Sequence, residues 1–367
     1  MKLGMWKITS SLCAMFILFC TTPRAATSSF IGPMHQIKAH ASTVPTNGDV
    51  NPYGVAVVPR SVGLLEQDHV LVSNFNNAMN LQGTGTTIVQ VSPGDGTTKL
   101  FAQIDAGTLP GACPGGVGLT TALVVLRAGW VIVGSLPTTD GMAATAGAGC
   151  LLVLNSAGQV VETFSGPPIK GPWDMTALDM GTTAALFVTN VLNGTVAGGG
   201  GVVSGGTVVR IDLTIPGIGV PVETATTMIG SGFSEKTDPN ALVIGPTGVG
   251  LGADGTLYVA DTINNRIAAI ANAATRLTDA GTGATVFGGG ALNAPLGLAI
   301  APNGDIVTVN GGDGNMVEIT PAGSQAAVKA VDVTATGAGV LFGLAIRPND
   351  SRIYFVNDGN NTLDVLH

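Results

Sequence analysis

The sequence predicts an all-β fold, a six-bladed β-propeller with four-stranded blades whose N-terminal strand closes the last blade. Three observations lead there. A strand-turn-strand pattern recurs six times along 367 residues. One copy of it cannot cover its own apolar face, so several must close on one another around a shared core. The two ends of the chain each carry part of a unit.

The pattern is clearest from Gly245 to Ile270. Val249 to Leu251 alternates small and apolar residues, Ala253-Asp254-Gly255 makes a turn, and Thr256 to Ala260 is a β-rich run ended by Asp261. Asn264-Asn265 then turns the chain into a third run, Arg266 to Ile270. The unit at Ala294 to Asn310, followed by Asn315 to Ile319, matches position for position, and that at Phe342 to Asn349, with Ile353 to Asn357, matches with one insertion. Looser copies begin at Asn51, Thr121 and Pro172. Spacings of roughly 45 to 75 residues suit blades of about four strands.

Taken in order, residues 1–28 carry Lys2 and Lys7, an apolar run from Leu12 to Phe19, and the small residues Ala25, Ala26 and Ser28. This is the layout of a secretory signal peptide cut near Ala26 to Ser28. Its apolar run is too short for a permanent membrane helix, and no later segment is apolar for long enough to span a bilayer. A secreted or periplasmic product is expected, with residues 29–367 as one propeller domain. Met34 to Ala41 is expected to supply the outer strand of the last blade, whose own copy stops after Thr362 to Leu366. Joining the ends in one sheet removes an exposed edge.

Removing Lys2, Lys7 and Arg24 with the leader takes the formal charge from −8 to −11. A chain this acidic does not suit nucleic acid or an anionic membrane surface. Cys113 and Cys150 remain after cleavage and fall at the same end of the second blade. A disulfide between them is expected in an exported protein, with two unpaired thiols as the alternative.

The run Pro246-Thr-Gly-Val, then Asp254-Gly-Thr-Leu-Tyr-Val-Ala-Asp261, then Asn264-Asn-Arg-Ile267 resembles the NHL repeat. That repeat builds a family of mostly six-bladed propellers, and the copies together span most of residues 50–367. The resemblance extends to a wider group of gluconolactonase-like and strictosidine-synthase-like propellers, an amidating lyase and many binding scaffolds. It implies a fold and leaves the activity open.

Strand direction predicts where a site should lie. In each blade the turn into the first strand and the turn out of the second share one face. Long insertions near 75–87, 136–149 and 191–207 fall on that face, all in the first three blades. The expected site is a central pocket edged by Tyr53, Trp173 and Phe342, with Asp174 beside it at a position that is Gly54, Gly248, Gly297 and Gly343 elsewhere. The second strands end in Asn74, Ser135, Asn190, Asp261, Asn310 and Asn357. Such side chains commonly bond the next turn. If some converge instead, Asn190, Asp261 and Asn310, with Asp174, are the candidates to hold a cation such as Ca²⁺.

The four histidines form no metal-ligand spacing, and no nucleophile elbow is present. Two functions are carried forward. The first is a monomeric exported binding or scaffold module that takes a protein, glycan or small molecule on the loop-rich face. The alternative is a metal-assisted hydrolase or lactonase resembling the gluconolactonase group.

Overall fold

Each repeat becomes one antiparallel sheet of a six-sheet ring in the computed structural model, which describes residue 1 and residues 28–334, 339–347 and 352–367. The leader falls outside these residues except at its two ends, as do the last two residues of the sixth repeat match, 348–349. The innermost strands are Val50–Val57, Leu119–Val125, Pro172–Asp179, Pro246–Leu251, Pro295–Ile300 and Leu341–Arg347. Among the described residues, helix is confined to two three-residue 3₁₀ turns, Ala106–Thr108 and Ala143–Thr145. No helix there is long and apolar enough to cross a membrane.

Ring closure uses Ile37–Ser42, which pairs antiparallel with Thr362–Leu366, Ile37 opposite Leu366 and Ser42 opposite Thr362. The sixth sheet therefore contains both ends of the chain. Apolar side chains of neighbouring sheets fill the space between blades. Leu71, Ile88 and Phe101 of the first blade, for example, share a buried cluster with Leu119, Val133 and Leu152 of the second.

Every inner strand is irregular at the same place, between Pro52 and Val55, Leu119 and Leu123, Pro172 and Met175, Pro246 and Val249, Pro295 and Leu298, and Leu341 and Leu344. A bulge leaves a residue unpaired and re-aims its side chain. The glycine that follows serves the contact between blades. A Cβ on Gly248 would run into the Leu296 carbonyl, one on Gly297 into that of Phe342, and one on Gly343 into that of Tyr53. Glycine at these positions lets the blades close around a narrow channel.

The third blade departs from the expected four strands. Its sheet has five, because the strands Val203–Thr214 and Val222–Asp238 are long and Leu242–Ile244 folds back onto the second of them. The sheet order leaves Leu242–Ile244 at its far edge, and from there the segment crosses the channel mouth.

Cys113 and Cys150 are joined by a disulfide, with Cα atoms 5.2 Å apart. It links the approach to the second blade to the strand Cys150–Leu154 across 37 residues. A cross-link of that span restricts the unfolded chain. The C113A/C150A double variant is expected to lose about 2–4 kcal/mol in denaturant unfolding, with its fold retained.

Candidate functional site

The bulges bring Tyr53, Trp173 and Phe342 together at the channel mouth on the loop-rich face. Tyr53 stacks between Phe75, at 4.4 Å, and Phe342, at 4.0 Å, and Trp173 tilts against it at 6.5 Å. The pocket expected inside this ring is filled. Ala241, Leu242, Val243 and Ile244 bury themselves against Tyr53, Phe75, Trp173, Leu296 and Phe342. The Trp173 indole N–H donates to the Val243 carbonyl at 2.9 Å, and the Tyr53 hydroxyl donates to the Asn240 carbonyl at 3.3 Å. What remains beneath is a void of about 10 Å³. These aromatics seat a plug, and all three are at most 3% exposed.

Asp174 lies just below the plug and is 8% exposed. Its Oδ1 accepts from the Met175 N–H at 2.8 Å, and its Oδ2 accepts from the Val249 N–H of the next blade at 3.2 Å. Burial pushes the carboxyl up to about 8, against those two hydrogen bonds. It stands at the blind end of a channel well of about 380 Å³ walled by the inner strands.

The three metal-ligand candidates do not meet. Asp261 receives the Arg266 Nε–H at 2.8 Å and the Asn264 amide at 3.0 Å. Asn310 donates to the Ala291 carbonyl and to Asp313, while Asn190 accepts from the Lys170 N–H. Each side chain is held in the turns of its own blade. Among the described residues no group of three or more His, Cys, Asp or Glu side chains is placed to hold a metal ion. A hard cation needs several oxygens at one point, and Asp261, Asn190 and Asn310 bond instead at their own turns.

The open concavity on the loop-rich face lies to one side of the plug. It is a cleft of about 560 Å³ between the first and sixth blades, with walls carrying Asn51, Asn76, Asn80, Gln82, Asn240 and Asp358. Local backbone chemistry puts amides here. Asn51, Asn80 and Asn361 all have positive φ, a conformation Asn tolerates better than most residues. The Gln82 amide donates to the Pro239 carbonyl at 2.7 Å, fastening the 76–82 loop to the plug.

Several of these amides are half satisfied. Asn76 donates to Asn80 Oδ1 at 2.7 Å, yet the buried Asn51 Oδ1, Asn76 Oδ1 and Gln82 Oε1 accept nothing among the described residues. Burial, reinforced by the charge of Asp332, raises Asp358 to about 7, although the Gly359 N–H opposes the shift. Asp358 directly follows the strand-end Asn357, whereas most of the cleft amides lie outside the repeated pattern. The signal available was the insertion Asn76-Asn77-Ala-Met-Asn80-Leu-Gln82, unusually rich in amides.

No protein-family model matches the chain, NHL repeats included, and no curated protein matches it in sequence. Solved structures do resemble it. A gluconolactonase from Xanthomonas campestris is 13% identical over 87% of this chain and 86% of its own, with a TM-score of 0.54. The calcium-binding protein regucalcin from Agrobacterium tumefaciens is 13% identical over 89% and 92%, also at 0.54. A virginiamycin B lyase from Staphylococcus aureus is 14% identical over 90% and 98%, at 0.50. At such identities the likeness is one of fold, and the chain is a six-bladed propeller whose fold neighbours include lactonase, calcium-binding and lyase propellers.

Proposed function

We propose that this is an exported propeller hydrolase that opens a hydroxyl-rich cyclic ester, a sugar lactone, in the amide-lined cleft beside the plug. The observation that carries the reading is the amide lining of the cleft, Asn51, Asn76, Asn80, Gln82 and Asn240, on the walls that also hold Asp358. A carbonyl oxygen accepts and cannot donate, so its complement is a ligand bearing O–H groups. The walls present one ionisable side chain, so a neutral polyol suits them better than a charged molecule.

Asp358, held near 7, is suited to act as a general base at neutral pH. Its carboxylate takes a proton from water as the water oxygen bonds to the lactone carbonyl carbon. The ring C–O bond then breaks, and the proton passes to the departing ring oxygen to leave a hydroxy acid. The Asn80 and Asn240 amides supply N–H donors on the same walls for the oxyanion. The step uses no metal, and gluconolactonase activity in a protein of the same fold supports the choice of substrate.

A second reading is binding without turnover. It is favoured by Asp358 being the sole titratable side chain among the described residues of the cleft walls, which leaves no second acid or base among them. Acid release from D-glucono-δ-lactone, followed at constant pH, separates the two. Turnover should rise as pH increases through about 7, as Asp358 ionises, and D358N should lose about 10²-fold or more. Calorimetric binding of the lactone or its polyol with no turnover selects the second reading, and absence of both overturns the cleft as a site.

A further inference from the structure

The plug closes one mouth of the channel, so the well beneath it opens on the opposite face, away from the cleft. We propose that this well is a second, independent site that takes a linear organic ammonium ion, inserted head first toward Asp174.

Charge is the first argument. The ionisable side chains on the walls of the well are Asp174 at its blind end and Asp179 farther along the same strand. Both are acids, and among the described residues no Lys, Arg or His lines those walls. Asp179 is held by the backbone N–H groups of Arg127 and Gly181. The strand that carries Asp174 packs against Leu119–Val125, Val131–Ser135, Thr183–Asn190 and Pro246–Leu251, none of which carries an ionisable side chain. A buried carboxyl without a counter-charge is complementary to a cation.

Hydrogen-bonding capacity points to the same ligand. An ammonium group has three N–H donors and no acceptor. The blind end offers the Asp174 carboxyl group and the Thr121 hydroxyl, whose oxygen is buried and has no partner among the described residues. Beyond the head, Val55, Leu123, Met175, Leu298 and Leu344 supply apolar wall for an alkyl chain, and about 380 Å³ accommodates one.

Titration links the site to pH. Asp174 keeps its proton up to about 8 in the free protein, so an ammonium ion arriving at pH 7 displaces that proton into solvent. The probe is hexylammonium chloride, titrated calorimetrically at pH 7 in two buffers of different ionisation heat. Binding should release about one proton per ligand and tighten by up to about tenfold per pH unit between 5 and 8. D174N should bind at least about tenfold more weakly and lose the pH dependence, whereas D358N should bind as wild type does. Hexanol, the same chain without charge, should not compete. Failure of folded wild type to bind, or pH-independent binding, overturns the proposal, and the wild-type pH series decides it even if D174N does not fold. Lactone turnover tests the cleft separately, so either site can fail alone.

Discussion

Resistance to denaturant is expected to fall as pH rises from about 5 to 8, with Asp174 the largest contributor to the loss. Burial holds Asp174 up to about 8 and both Glu235 and Asp358 up to about 7. Each of these groups keeps its proton when folded at a pH where the unfolded chain has already released it. The folded state then binds more protons than the unfolded state, so stability decreases as pH rises. The loss begins above the unfolded carboxyl values near 4 and is complete above the folded ones. For Asp174 alone the slope is about 1.4 kcal/mol per pH unit within that window. Asp95, held at about 2 by hydrogen bonds from Thr97 and Ser92, and Asp140, also held low, titrate below it and leave the sign unchanged. Urea unfolding at unit pH steps measures the slope, and D174N should flatten it by about one proton's worth while leaving the Val249 N–H without its carboxylate. Stability that rises from pH 5 to 8 would contradict this account of the buried acids.

How much of this was legible depends on whether a feature repeats. The ring of blades and the closing strand follow from the recurrence of strand runs and turns, because period and register are local properties of the sequence. The gathering of Tyr53, Trp173 and Phe342 follows as well, since equivalent positions of different blades meet at the axis. What lies over them does not. Ala241-Leu-Val-Ile244 reads like any buried strand, and nothing local says that it leaves the sheet's plane to cover the mouth. Asp174 illustrates the same boundary: a charge at a glycine position demands a partner, but the partner is a backbone N–H of the adjoining blade. The strand-end ring shows the converse. Asn190, Asp261 and Asn310 are equivalent by register, yet Arg266, Asn264 and Asp313 hold two of them within their own blades. Among the cleft amides, Asn76, Asn80 and Gln82 are less legible because they sit in an insertion whose sequence no other blade repeats.

Trp173→Ala should produce the largest loss of any single substitution at the plug, about 3–5 kcal/mol, because it empties an indole-sized volume beneath a covered mouth. The plug consists of four apolar residues held against aromatics, and two side-chain hydrogen bonds join it to them, Trp173 to Val243 and Tyr53 to Asn240. Trp173→Phe separates packing from hydrogen bonding. It keeps most of the ring contact but leaves the buried Val243 carbonyl without the indole, at about 1–3 kcal/mol. Amide hydrogen exchange across 239–244 should quicken in both variants, and more in W173A, while the outer strands of the fourth and fifth blades keep their protection. Loosening the plug also joins the loop-rich face to the channel well, so a ligand reaching Asp174 then has two routes. If W173A loses less than about 1 kcal/mol and exchange across 239–244 is unchanged, the aromatic ring does not hold the mouth shut, and the separation of cleft from well fails with it.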